Sequence, residues 1–257
     1  MPFPIPAPLR ASLLAGLLLG ALAPPAADAQ TPAATAPGKV ILLINPNSNA
    51  RTTASMTEIA ATATGGVAVE GKSNEGVPPL LTTPKDLADA LPGVVKIGVA
   101  GAADDRIGAI IVAAFGDPGL PELRAAVDLP VFGIREQAFR EAARDGRPFG
   151  VATTTPDPGL LESFRQTAVA LGYGVQFRGT RVTSGDPSTL MQKSPAELDA
   201  ALAEAVRASI ADGAQAVIIG GGPLTASALR LQPQFDIPLI VPVIAAAKAA
   251  AAAVTAN

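Results

Sequence analysis

No cysteine and no histidine occurs among the 257 residues, and there is no tryptophan. These absences exclude chemistry before any motif is read. A structural zinc site draws on Cys and His ligands, so none is expected. A Ser-His-Asp triad lacks its base. Disulfides cannot form, although an exported protein is free to use them. Aromatics make up only 4% of the chain and the formal net charge is −3. That leaves neither stacking platforms nor a basic stripe for nucleic acid. No metal and no cofactor is expected.

The first 29 residues carry a layout of their own. A single basic residue, Arg10, precedes an apolar run from Ala11 to Ala23, and a small-residue site follows at Ala27-Asp28-Ala29. A basic start, a short apolar core and an A-x-A-like site make a secretory signal peptide. The apolar run is shorter than the roughly 20 residues that span a bilayer. The expectation is cleavage near Ala29, a periplasmic or secreted protein, and no stable membrane association after cleavage. Residues 30–38 are rich in Pro, Ala and Thr and read as a flexible leader. The folded part starts at about Lys39 and is long enough to bury a core without staples.

What is abundant from there on is an alternation. Short apolar, β-branched runs occur at Val40–Ile44, Ile110–Ala113, Pro130–Ile134, Phe149–Ala152, Ala216–Ile219 and Leu239–Val241. Weaker strand candidates are Val67–Glu70 and Gly174–Phe177. Helical stretches lie between them: Thr53–Thr64, Pro121–Val127, Glu136–Asp145, Gly159–Leu171 and Pro195–Asp212. Strand, helix, strand implies a parallel sheet covered on both faces, hence an α/β fold. The halves echo each other. Four of these strands open into a polar or Gly-rich turn: Asn45-Pro46-Asn47-Ser48-Asn49, Ala114 to Gly119, Thr153 to Asp157, and Gly220 to Pro223. In parallel α/β sheets ligands sit at the carboxyl ends of strands, so four such turns predict one shared cleft. Taken singly, the same residues are ordinary turn formers.

Five segments in order carry a resemblance. They are Ile44 to Asn49 with Thr52, Thr53 and Met56; Phe115 to Leu120; Pro130 to Ile134 with Glu136 and Ala138; Val151 to Thr154; and Ile218 to Leu224. In these the chain resembles the aspartate/glutamate/hydantoin racemase superfamily, most of all its hydantoin racemase branch, from Lys39 to the C-terminus. The resemblance implies two pseudo-symmetric lobes, each a parallel sheet flanked by helices, with the ligand cleft between them. It places one lobe at 39–135 plus 236–257 and the other at 136–235, with the Ala-rich tail Ile244 to Val254 as a helix on the first. It also implies proton transfer at a carbon next to a carbonyl by two cysteines, one per lobe. At those positions stand Ala114 and Gly221. Neither can accept a proton, and a general base is worth roughly two to four powers of ten in rate.

The remaining groups suit a small carboxylate or a hydantoin-like cyclic amide. Asn45, Asn47 and Ser48 offer donors from one lobe, and Thr153 and Thr154 from the other. Gly221 and Gly222 present backbone with no Cβ in the way. Asn45 and Asn47 equally suit a turn-stabilising role. Asp117 and Glu136 are the candidate replacement bases. Asp117 also suits a cap on the helix after it, and Glu136 a place at the positive end of a helix dipole. Arg135 can pair with an anionic ligand, pair with Glu136, or lie exposed. Two functions from different classes follow: a racemase-family isomerase using another base, and a non-catalytic exported protein that binds a small ligand in the same cleft. A structural relic is a third. The expected partner is a small molecule, and self-association into a homo-oligomer stays open.

Overall fold

The structure, a computed structural model, describes residues 38–256. The expected signal peptide and all but the last residue of the expected leader lie outside the described residues. The first strand, β1 (Val40–Asn45), has all six side chains buried. A strand covered on both faces belongs inside a parallel sheet. It pairs in parallel with β2 (Val69–Ser73) on one side and β3 (Ile107–Val112) on the other, and β4 (Val131–Gly133) extends the sheet beyond β3. The second half repeats the plan. Strands β5 (Phe149–Thr153), β6 (Phe177–Val182), β7 (Ala216–Ile219) and β8 (Leu239–Ile240) form a second parallel sheet in the order β6-β5-β7-β8. That is the order β2-β1-β3-β4 again, four strands later, and it is the α/β architecture expected.

Helices cover the sheets: α1 (Ala50–Ala61), α2 (Pro84–Ala102), α3 (Leu120–Ala126), α4 (Ile134–Ala142), α5 (Pro158–Ala170), α6 (Pro187–Gln192), α7 (Pro195–Ala211), α8 (Thr225–Leu231) and α9 (Pro242–Ala256). Of these, α2, α6 and α8 are not foreseen in the sequence. The longest, α2, contains Pro92, Gly93, Gly98 and Gly101, which read as breakers. Packing overrides propensity there. Thr83 and Asp86 close a capping box at its start. A Cβ on Gly98 would stand 2.4 Å from Leu123 Cδ1, so glycine is what lets α2 lie close to α3. The two weak strands, β2 and β6, prove to be sheet edges. Glu70, Lys72, Arg178 and Arg181 interrupt their apolar patterns and keep those edges solvated. Strand β6 also begins where the expected Gly174–Phe177 strand ends.

The first lobe buries Ile41, Leu43, Ala109 and Ile111 against Val243, Ala246, Ala247 and Ala250 of α9. The alanines bring that helix close to the sheet. The second lobe packs Phe139 and Phe149 with Val151, Ile218 and Phe164 on one face of its sheet. The lobes join within a helix rather than at a loop. Ile134, which opens α4, belongs to the first core, while Ala138, Phe139 and Ala142 belong to the second. The return differs from the expected crossing near Asp236. Leu239 and Ile240 still pair with Val217 and Ile218 of the second sheet, so the chain crosses back only as α9 begins.

Candidate functional site

The carboxyl ends of β1, β3, β5 and β7, the two central strands of each sheet, open into one cavity. Its interior leaves about 70 Å³ for the centres of water-sized molecules. Asn47 follows β1, Ala114 to Gly116 follow β3, Thr153 ends β5 with Thr154 and Thr155 after it, and Gly220 to Leu224 follow β7, and all of these line the cavity. Ala114 and Gly221, the positions where the resemblance calls for thiols, thus face the same space.

The β1 turn is held by its own asparagines. Asn45 is fully buried, and its Nδ2 donates to Asn47 Oδ1 at 2.8 Å and to Thr53 Oγ1 at 2.9 Å. Its Oδ1 accepts from the Asn47 backbone N–H at 3.2 Å. The expected ligand-donor role of Asn45 is therefore corrected: it builds the loop and does not line the cavity. Ser48 is also absent from the lining, and its backbone N–H bonds the Pro78 carbonyl. Asn47 does line it. Its Oδ1 accepts from Asn45 Nδ2 and from the Asn49 backbone N–H, and its Nδ2 has no partner among the described residues. Asn74, which the motif reading missed, clamps this turn from outside. Its buried side chain donates to the Pro46 carbonyl at 3.2 Å and the Ala90 carbonyl of α2 at 2.9 Å. No local pattern marks it, since it works through a helix that the sequence conceals.

Neither candidate base reaches the cavity. Asp117 is buried and adopts a left-handed backbone, φ 47°. Its carboxylate accepts from the backbone N–H groups of Arg135 at 3.0 Å and Glu136 at 2.9 Å. It caps α4 across the sheet, not the helix that follows it. Gly133 makes room for it, since a Cβ there would lie 2.4 Å from the Asp117 carboxyl. Burial pushes the Asp117 carboxyl up to about 6, with the Arg135 charge and the two N–H donors pulling the other way. Glu136 is paired with Arg124 at 2.9 Å and Arg140 at 3.1 Å. Although burial opposes it, these two guanidinium groups hold its carboxyl below the usual range. Arg135 does not line the cavity and does not pair with Glu136. It reaches over to α5, where it donates to Ser163 Oγ at 3.1 Å and lies 6.0 Å from the Phe164 ring centre.

In the second lobe the two threonines divide the work. Thr153 donates its hydroxyl to the Gly220 carbonyl at 2.8 Å and so ties the β5 end to the β7 turn. That hydroxyl proton is not offered to a ligand, contrary to expectation. Thr154 is buried, lines the cavity, and has no side-chain partner among the described residues. The glycine run lies flat against the first lobe. A Cβ on Gly220 would sit 2.8 Å from Phe115, and one on Gly222 would sit 2.9 Å from Met56 Sδ. Gly222 lines the cavity as expected. The remaining wall is apolar: Leu81, Leu87 and Phe115 from one lobe, Leu160, Phe164 and Met191 from the other. Leu81, Leu87 and Met191 come from α2, its approach and α6, so no strand-end motif could point to them.

Among the described residues, no ionisable side chain lines this cavity. Among the described residues no cluster of three or more Asp, Glu, His or Cys is placed to hold a metal ion. What the site offers is an amide, the hydroxyls of Thr154 and Thr155, turn backbone and an apolar wall.

Comparison with known proteins agrees with the architecture. Residues 41–250 match the family described as Asp/Glu/Hydantoin racemase. A hydantoin racemase of Rhizobium meliloti is 31% identical over 216 residues, 82% of this chain and 87% of that protein. An allantoin racemase from Klebsiella pneumoniae superposes with a TM-score of 0.76 at 26% identity, covering 85% of this chain and 89% of its own. A glutamate racemase from Francisella tularensis, at 13% identity and a TM-score of 0.62 over 86% of this chain and 83% of its own, shares the fold. With a family match over most of its length and the same two-lobed fold around a strand-end cleft, this chain belongs to the Asp/Glu/hydantoin racemase family.

Proposed function

We propose that the protein binds a small carboxylate or hydantoin-like ligand in the interlobe cavity and does not perform two-thiol racemisation. One observation carries this reading: Ala114 and Gly221 line the cavity, and among the described residues no ionisable side chain lines it with them. Moving a proton from carbon needs a base about 3 Å from that carbon. Asp117 has both carboxylate oxygens bonded to backbone N–H groups, and Glu136 is bound to two arginines. Neither lines the cavity. The free amide of Asn47, the free hydroxyl of Thr154 and the apolar wall support binding instead, since small-molecule sites combine few polar groups with much apolar surface.

The test is hydrogen exchange in heavy water with a 5-substituted hydantoin, aspartate and glutamate, read by mass and optical rotation. The expected result is α-carbon deuterium uptake no faster than in buffer. Uptake well above the buffer rate, lost in Asp117→Asn or Glu136→Gln, sinks the non-catalytic reading and names the base. Binding is read separately by thermal shift with the same compounds. A ligand at about 100 times its Kd stabilises the fold by about 2.7 kcal/mol. No shift with any of them at millimolar concentration counts against a ligand of this class.

A further inference from the structure

We infer that Arg135 is a positioning residue that holds the two lobes shut along the aromatic seam of the cavity. Its backbone belongs to the first turn of α4, next to Ile134 of the first core. There its N–H is fastened to Asp117 Oδ1 at 3.0 Å, on the turn that also supplies Ala114, Phe115 and Gly116 to the cavity. Its side chain leaves that lobe. One guanidinium nitrogen donates to Ser163 Oγ on α5 of the second lobe at 3.1 Å. Ser163 is itself oriented, because its hydroxyl donates to the Leu160 carbonyl at 2.7 Å. The guanidinium carbon lies 6.0 Å from the ring centre of Phe164, within reach of a cation–π contact. Phe164 in turn meets Phe115 edge to face at 5.0 Å. Phe115 and Phe164 both line the cavity, one from each lobe, so this ring pair is the seam.

The position is costly, which argues that it does something. Arg135 Nε is buried with no partner among the described residues. Burying a guanidinium donor without a partner is destabilising, and only the charge of Asp117 nearby offsets part of that cost. The use of Arg135 is to tie the middle of α5 to the start of α4, which the Asp117 carboxylate already joins to the β3 turn through backbone N–H groups. The inference concerns the shape of the cavity and holds for whichever ligand the cavity takes.

The chain has no cysteine, so one introduced thiol reports alone. Ala114→Cys places it inside the cavity, and its rate of reaction with a maleimide under native conditions measures opening of the seam. Labelling of the full chain with Arg135 intact is the baseline. Adding Arg135→Met, which keeps the stem and removes the head, should speed it by tenfold or more. The acceleration should exceed any rise in global unfolding read from denaturant melts of the same variants. Arg135→Lys, which keeps the charge but loses the planar head, should restore only part of the protection. If Arg135→Met does not fold, Ser163→Ala and Phe164→Leu sever the same link from the other side. Each should then accelerate labelling. An unchanged rate after removal of Arg135, or an increase fully matched by global unfolding, overturns the inference.

Discussion

Asp117 shows how the environment of one residue decides its use. It accepts two backbone N–H bonds at a helix start, an arrangement that favours the charged form, yet burial wins and its carboxyl titrates near 6. The consequence for stability has a definite sign. Between the ordinary value of 3.8 and about 6, the folded state holds a proton that the unfolded state has released. This group's contribution therefore weakens as pH rises from 4 to 6 and levels off above. The span corresponds to a loss on the order of 3 kcal/mol. Asp117→Asn keeps one acceptor and cannot ionise. Guanidinium melts from pH 4 to 7 should give a difference between wild type and variant that tilts in this direction. A flat difference shows that the carboxyl is not desolvated. Gly133 belongs to the same arrangement, because only a residue without a Cβ leaves space for that carboxyl.

The element that matters most for the site is the one the sequence conceals. Helix α2 brings Leu87 to the cavity wall and offers its Ala90 carbonyl to Asn74, which in turn holds the Asn-Pro-Asn turn. Its start depends on Thr83, whose hydroxyl accepts from the Asp86 N–H at 3.1 Å while the Asp86 carboxylate accepts from the Thr83 N–H at 2.9 Å. Thr83→Ala should cost about 1 kcal/mol in chemical melts. Asn74→Ala should cost roughly 2–3 kcal/mol, because it leaves two buried carbonyls short of a donor. Amide exchange should then quicken in the β1 turn and α2 before it does in the second sheet. Uniform quickening would mean that Asn74 supports the whole fold rather than that turn. Helix α9 illustrates the opposite case. Its alanine run announces a helix, and its packing on the first sheet follows from side chains small enough to sit close.

At the scale of the molecule, the two lobes meet through glycine. Gly220 passes Phe115 and Gly222 passes Met56 so closely that a Cβ would lie 2.8 and 2.9 Å away. Gly220→Ala should destabilise by roughly 1–3 kcal/mol, the usual cost of overpacking a filled space. The same contact bears on restoring the thiols. Gly221 has φ 157° and ψ 131°, and a Cβ there would approach Leu224 Cδ1 at 3.1 Å. Gly221→Cys is therefore expected to lower the denaturation midpoint more than Ala114→Cys, which adds only a sulfur beyond an existing Cβ. Equal effects would show that the β7 turn is free to adopt another backbone.

The amino-acid sequence by itself determined the α/β class, the central strands and the four turns that open on the cleft. It did so because a strand buried on both faces must be an unbroken apolar run, and because turns at strand ends need Asn, Gly and Pro. The missing thiols and histidines are likewise plain in it. Only the tertiary structure decided how the polar residues of those turns are used. Asn45 and Asn47 have the same side chain two positions apart, yet one is consumed by Asn47 and Thr53 while the other keeps its amide free. Asp117 and Glu136 look alike as candidate bases, and partners 18 and 12 residues away take both out of the cavity. Helix α2 needed the contacts of Gly98 and Asn74 to outweigh its proline and glycines. A hydrogen bond or a close approach depends on what the fold brings alongside, and that neighbour is distant in the chain.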